Sequence, residues 1–111
     1  MLNLTINREK FFEQIQVVLD MNALFRNTID NPDLIFPQAN FVLEEYNETI
    51  ERGILNKDKK EFVDGLADIF VTASFLSYLL SGSIESFKEI YNKQFNMYEN
   101  MLKNKIGRAH V

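Results

Sequence analysis

The chain contains no cysteine, which excludes disulfides, thiol catalysis and thiolate metal sites. Its single histidine, His110, stands beside the C-terminus, so neither a catalytic histidine nor a histidine-based zinc site is expected. Four glycines and two prolines are too few for the many tight turns of a β-sandwich or barrel. Positive charge is in deficit, with 12 Lys and Arg against 16 Asp and Glu, a net charge of −4 and a pI near 5.0. Nonspecific nucleic-acid binding is therefore not expected. The first residues show no basic segment ahead of an apolar run, so no secretory signal is read and a cytoplasmic location is expected. Any chemistry falls to carboxylates.

The 111 residues are 46% apolar and 25% charged, the composition of one folded domain rather than a disordered chain. Residues 1–106 read as that domain and residues 107–111 as a frayed tail. Four helical patterns follow one another, which predicts an all-α four-helix bundle. From about Asn7 to Phe25, Phe11, Phe12, Ile15, Val18, Leu19 and Phe25 recur at helical spacing. Pro37 suits a first helical residue, and the second helix is expected to run from there to Arg52 with Gly53 just past its end. Val42, Leu43, Tyr46 and Ile50 form its apolar face. Asn56 or Asp58 is placed to cap a third helix that continues to Leu80. Ser81-Gly82-Ser83 then makes a turn, and Ser83 caps a fourth helix reaching about Lys105.

The third helix is apolar nearly all round. The stretch from Gly65 to Ile84 carries Asp68 as its only charge, and it approaches the roughly 20 residues of a membrane span. Asp68, four serines, a threonine and two glycines interrupt it, so it reads as a buried helix and no membrane association is expected. Three other helices of one small chain cannot cover such a surface, which predicts a homodimer or homotetramer. Phe11, Phe12, Phe87, Ile90 and Phe95 are expected to be buried by the same self-association.

Six carboxylates stand out. Glu44, Glu45 and Glu48 occupy adjoining parts of the second helix, and no basic residue lies nearby before Arg52. Glu61, Asp64 and Asp68 fall within about 60° of one another on the third helix, embedded among apolar residues. Surface carboxylates can be mere solvated charge, but a carboxylate buried in an apolar helix is costly without a cationic partner. A hard divalent cation, Mg²⁺ or Mn²⁺, is the natural one. Gly65 would let another helix or a substrate approach closely, or serve packing alone.

Glu45-Tyr-Asn-Glu48, twelve intervening residues and Glu61-Phe-Val-Asp64 resemble the ExxE…ExxD signature of the all-α NTP pyrophosphohydrolases. These include MazG-like proteins, dimeric dUTPases and phosphoribosyl-ATP pyrophosphohydrolases. The resemblance spans roughly residues 37–97. It implies Mg²⁺-dependent hydrolysis of a nucleoside triphosphate to monophosphate and pyrophosphate, in dimers or tetramers. The metal would be held by Glu45, Glu48, Glu61 and Asp64, with Glu48 counted also among the catalytic groups. Glu44 or Asp68 would orient or deprotonate water. Lys60 and Lys93 would hold phosphates, and Asn92 or Asn96 would contact the nucleotide.

The chain departs from the pattern in two places. Gly65 stands three residues before Asp68 where many relatives carry Glu, so Asp64 and Asp68 compete for one ligand role. Asn96-Met97 is followed by Tyr98 and Glu99 rather than by Ser-Lys. Two alternatives are an inactive binding or regulatory module of the same fold, and an unrelated helical module whose acidic stripe binds a basic partner.

Overall fold

A computed structural model describes residues 6–109, with side chains through Lys105. Among the described residues every regular element is a helix. Helix α1 spans Arg8–Leu24, a 3-10 turn Pro32–Leu34 leads into α2 at Ile35–Glu48, and a π-helical segment, Thr49–Leu55, continues α2 without a break. Helices α3, Lys59–Ser81, and α4, Ile84–Ala109, complete the chain. The all-α, four-helix reading is met.

Local chemistry explains the boundaries. The side chain of Asn7 accepts from the Lys10 N–H and caps α1. Asp58 accepts from the Lys60 and Glu61 N–H groups and caps α3, and Ser83 accepts from the Ser86 N–H to cap α4. Gly82 closes α3 at φ +87°, in the left-handed region that suits glycine.

Several expected details differ. Helix α2 starts two residues before Pro37, which falls within its first turn, where a missing N–H is still harmless. Gly53 does not end the helix but lies buried inside the π segment, and Lys57, at φ 53°, makes the turn instead. Helix α4 runs past Lys105 to Ala109, so the expected tail is helical through that residue. His110 and Val111 lie outside the described residues.

Helix α3 packs along α2 and its π segment, and also meets α1 and α4. Ile15 and Val18 of α1, Phe75 and Leu79 of α3 and Phe87 of α4 form the buried core. An aromatic cluster knits α1 to α4. Phe87 stacks on Tyr91 at 4.5 Å between ring centres, and Phe11 meets Phe95 edge-on at 5.2 Å. Phe87 is thus buried within the chain and needs no second copy to cover it, while Phe11, Phe12 and Phe95 are half-buried against one another, because helices spaced by large rings can interdigitate them. Ile90 alone of that group is exposed. Leu43 and Tyr46 of α2 and Phe25 at the end of α1 also face solvent.

The single chain is open. Its radius of gyration is 17.1 Å, against about 13 Å for a compact chain of this length. It exposes 8540 Å², about 2,200 Å² more than the roughly 6,300 Å² of a folded monomer of its mass. Helix α3 is long and apolar enough to cross a membrane by length and composition, yet only 17% of its most apolar window is buried.

Arg8 fastens α1 to α4. Its guanidinium donates to Asn92 Oδ1 at 3.1 Å and Asn96 Oδ1 at 2.7 Å, and pairs with Glu99 at 3.1 Å. The Ile6 N–H also donates to Glu99, and this bond, more than the Arg8 contacts, holds the Glu99 carboxyl below its ordinary 4.5 against a smaller upward push from desolvation. A lowered pKa means stability that is present above the ordinary value and lost as pH falls through the lowered one. Glu99→Gln is therefore expected to melt lower than the parent at pH 7. The gap should close in acid, below pH 4.5, as followed by circular dichroism.

Candidate functional site

The site begins with two close backbone approaches between the antiparallel α2–π unit and α3. A Cβ on Gly65 would overlap the Thr49 side chain, and a Cβ on Gly53 would sit 2.7 Å from the Phe62 Cα. Each glycine thus lets the facing helix in where any side chain would hold it off. Gly65 serves helix packing, one of the roles open to it from sequence. Thr49 is buried, and its hydroxyl donates to the Glu45 carbonyl at 2.7 Å. That bond competes for the acceptor used by the helix ladder, at the point where the backbone widens to π geometry. Gln38 adds a further tie, donating to the Thr72 carbonyl at 2.9 Å.

This crossing creates a cleft of ≈ 40 Å³ lined by Glu45, Glu48, Thr49, Arg52, Glu61, Asp64, Gly65 and Asp68. Its volume admits an ion with two or three waters, at roughly 10–15 Å³ each. A nucleotide does not fit inside and would have to lie across the opening. Five carboxylates face one guanidinium here. Arg52 approaches Glu48 at 3.8 Å, but both side chains are largely exposed, so the pair contributes little.

Glu45 is the most enclosed of the acids. Desolvation, followed by repulsion from Asp68, Glu48 and Glu44, raises its pKa, against a smaller lowering by Arg52. Asp64 and Asp68 are exposed rather than buried in an apolar surround. The side of α3 that carries them is turned to the open cleft, so burial does not compel them to find a counter-charge. Their crowding with the α2 acids is what favours a cation. All the charged donors are hard oxygen ligands suited to Mg²⁺ or Mn²⁺. Among the described residues no three acidic side chains converge as a preformed ligand group, which is the arrangement mutual repulsion favours.

Of the residues singled out from sequence, Glu45, Glu48, Glu61, Asp64 and Asp68 share this cleft. Glu44 does not line it, being about 140° round α2 from Thr49. Lys60 is exposed next to Glu61 and is not a lining residue. Asn92, Lys93 and Asn96 belong to α4 and stand apart from the cleft, and both asparagine oxygens are engaged by Arg8. Arg52 and Thr49 went unrecognised. The spacing of Arg52 four residues after Glu48 was visible, but nothing in the local pattern turned Thr49 inward. Compared with family models, curated proteins and solved structures, the chain has no match.

Two outcomes follow from this geometry. Gly65→Ala forces Thr49 and its helix outward and is expected to lower stability by about 1–3 kcal/mol in urea titration, as overpacking does. The raised Glu45 pKa means that the folded state holds its proton more tightly than the unfolded chain, so its contribution to stability declines as pH rises through that value. Glu45→Gln should accordingly be more stable than the parent at pH 7, with the difference shrinking toward acid in the same assay.

Proposed function

We propose that the protein is a Mg²⁺-dependent nucleotide pyrophosphohydrolase, releasing a nucleoside monophosphate and pyrophosphate, and that it works as a homodimer or homotetramer. The observation that carries the first part is the meeting of Glu45 and Glu48 with Glu61, Asp64 and Asp68 across one cleft. The first four are the residues of the ExxE…ExxD resemblance, drawn from two segments separated in sequence, and Asp68 stands one turn beyond them on α3. The open shape of the protomer and its excess exposed surface support the second part.

Glu45, Glu48, Glu61 and Asp64 would hold the metal. When bound, Mg²⁺ supplies neutralisation of phosphate charge and a lowered pKa for a coordinated water. The chain's own groups do the rest. Asp68, at the cleft and outside the ligand set, takes the proton from the attacking water. The water oxygen bonds to phosphorus, the α–β anhydride bond breaks, and its electron pair leaves with pyrophosphate. Asp68 is better placed than Glu44, which does not line the cleft. Arg52, largely exposed and held only loosely by Glu48, can swing to the outer phosphates, with Lys60 nearby as a second cation.

Glu48→Gln and Glu61→Gln keep side-chain shape and remove the charge a metal needs. Each is expected to lose roughly 100-fold in pyrophosphate release, about 2.7 kcal/mol of barrier, while its helical circular dichroism is unchanged. Asp64→Asn should weaken Mn²⁺ binding more than Asp68→Asn, whereas Asp68→Asn should lower turnover with the metal still bound. Activity equal to the parent in Glu48→Gln or Glu61→Gln would overturn the ligand set. A screen of nucleoside triphosphates with Mg²⁺ that yields no pyrophosphate would favour a binding module instead.

A further inference from the structure

The side of α3 turned away from the cleft carries an ordered pattern of its own. Val63, Leu66, Phe70, Ala73, Ser77 and Leu80 follow one another at spacings of three and four residues, the a and d positions of a heptad seam. At 100° per residue they fill a stripe about 100° wide, centred about 180° round the helix from Glu61, Asp64 and Asp68. The four largest of these side chains are 47–64% exposed. Toward the end of α3 the stripe opens into a groove of ≈ 300 Å³ lined by Ala73, Leu76, Ser77, Leu80, Ser81 and Ile90. The Tyr91 hydroxyl donates to Ser77 at 3.1 Å and fixes the wall from α4.

We infer that this seam is the contact between two copies of the chain, joined as an antiparallel, two-fold pair of α3 helices. One register pairs all six residues of the seam. With the axis between Phe70 and Ala73, Phe70 meets Ala73 of the second copy, Leu66 meets Ser77 and Val63 meets Leu80. Large side chains then face small ones at the centre, and each a position faces a d position. A parallel pair would instead set Phe70 on Phe70 and leave Ser77 opposite Ser77. The chain as a whole exposes 8540 Å², about 2,200 Å² above a compact monomer of its mass, so a standard contact of roughly 800 Å² from each partner on the α3 stripe would cover part of that surface. A bilayer would surround α3 on every side and place Asp64 and Asp68 in hydrocarbon, at a cost of several kcal/mol. A second copy covers the apolar side and leaves the acidic side open. The inference rests on the self-association proposed above and specifies its surface.

The absence of cysteine makes the register directly testable. Val63→Cys and Leu80→Cys chains, mixed and mildly oxidised, are expected to give a disulfide-linked dimer on a non-reducing gel. Neither variant should link to itself, because like positions lie 17 residues, about 26 Å, apart along the axis, far beyond disulfide reach. Phe70→Glu, at an exposed position, should halve the sedimenting mass to 13.0 kDa and keep its helicity. Leu66→Glu is the second variant should Phe70→Glu misfold. Self-linking of Val63→Cys would overturn the antiparallel register. A parent dimer that forms no mixed disulfide and persists in both Glu variants would overturn the seam and leave self-association standing. A parent that sediments at 13.0 kDa, or that floats with phosphatidylcholine vesicles instead of dimerising, would overturn both.

Discussion

The candidate site depends on how closely α3 approaches the α2–π unit. Gly65 against Thr49 and Gly53 against Phe62 remove the side-chain layer that would normally separate two helices. With an ordinary interaxial distance of 8–10 Å set by intervening side chains, the acids of α2 and α3 would flank a packed seam. Here each contact lacks a side chain on one helix, Thr49 resting on Gly65 and Gly53 on the Phe62 backbone, and the acids at its edge share one small cleft. The Thr49 hydroxyl bond to Glu45 and the π geometry that follows belong to the same device, since they fix the helix face that Glu45 and Glu48 present.

Bringing five carboxylates to one place works against stability. Exposure keeps the cost of each moderate, and Glu45, the most enclosed, shows the strain in its raised pKa. Arg52 offsets only part of it. Elsewhere a half-buried cation is paired more fully, although the Arg8 Nε is left without a hydrogen-bond partner. Arg8 at the α1–α4 junction has Asn92, Asn96 and Glu99 as partners, and Glu99 is drawn to a lower pKa by the bonds it accepts.

Helix α3 serves three neighbours at once. One side borders the acidic cleft, Phe75 and Leu79 enter the core, and the stripe from Val63 to Leu80 lies away from both. This division leaves one stripe of an otherwise partly covered apolar helix open to solvent within a single chain. The cleft and the apolar stripe thus lie on opposite sides of one rigid element.

Much of this was legible in the sequence. Periodicity located the four helices, because an amphipathic pattern follows from 3.6-residue geometry wherever one side is buried. Asp58 and Ser83 announced their caps, since an N-cap needs only a short acceptor next to the first helical turn. The spacing of Glu45, Glu48, Glu61, Asp64 and Asp68 was enough to nominate them, because it is a local property of each helix. What pairs with what was not local. Gly53 looked like a helix end, and only the approach of Phe62 from α3 gives it a different role. Phe87 read as part of a subunit contact, and only the packing of α1 on α4 shows it buried inside the chain. Asn92 and Asn96 could have faced a ligand, but Arg8, more than eighty residues away in sequence, reaches both. Helix formation is governed by neighbours one turn apart, and so it was written in the sequence. The cleft depends on the distance and rotation between two helices, which the packing of the folded chain alone decides.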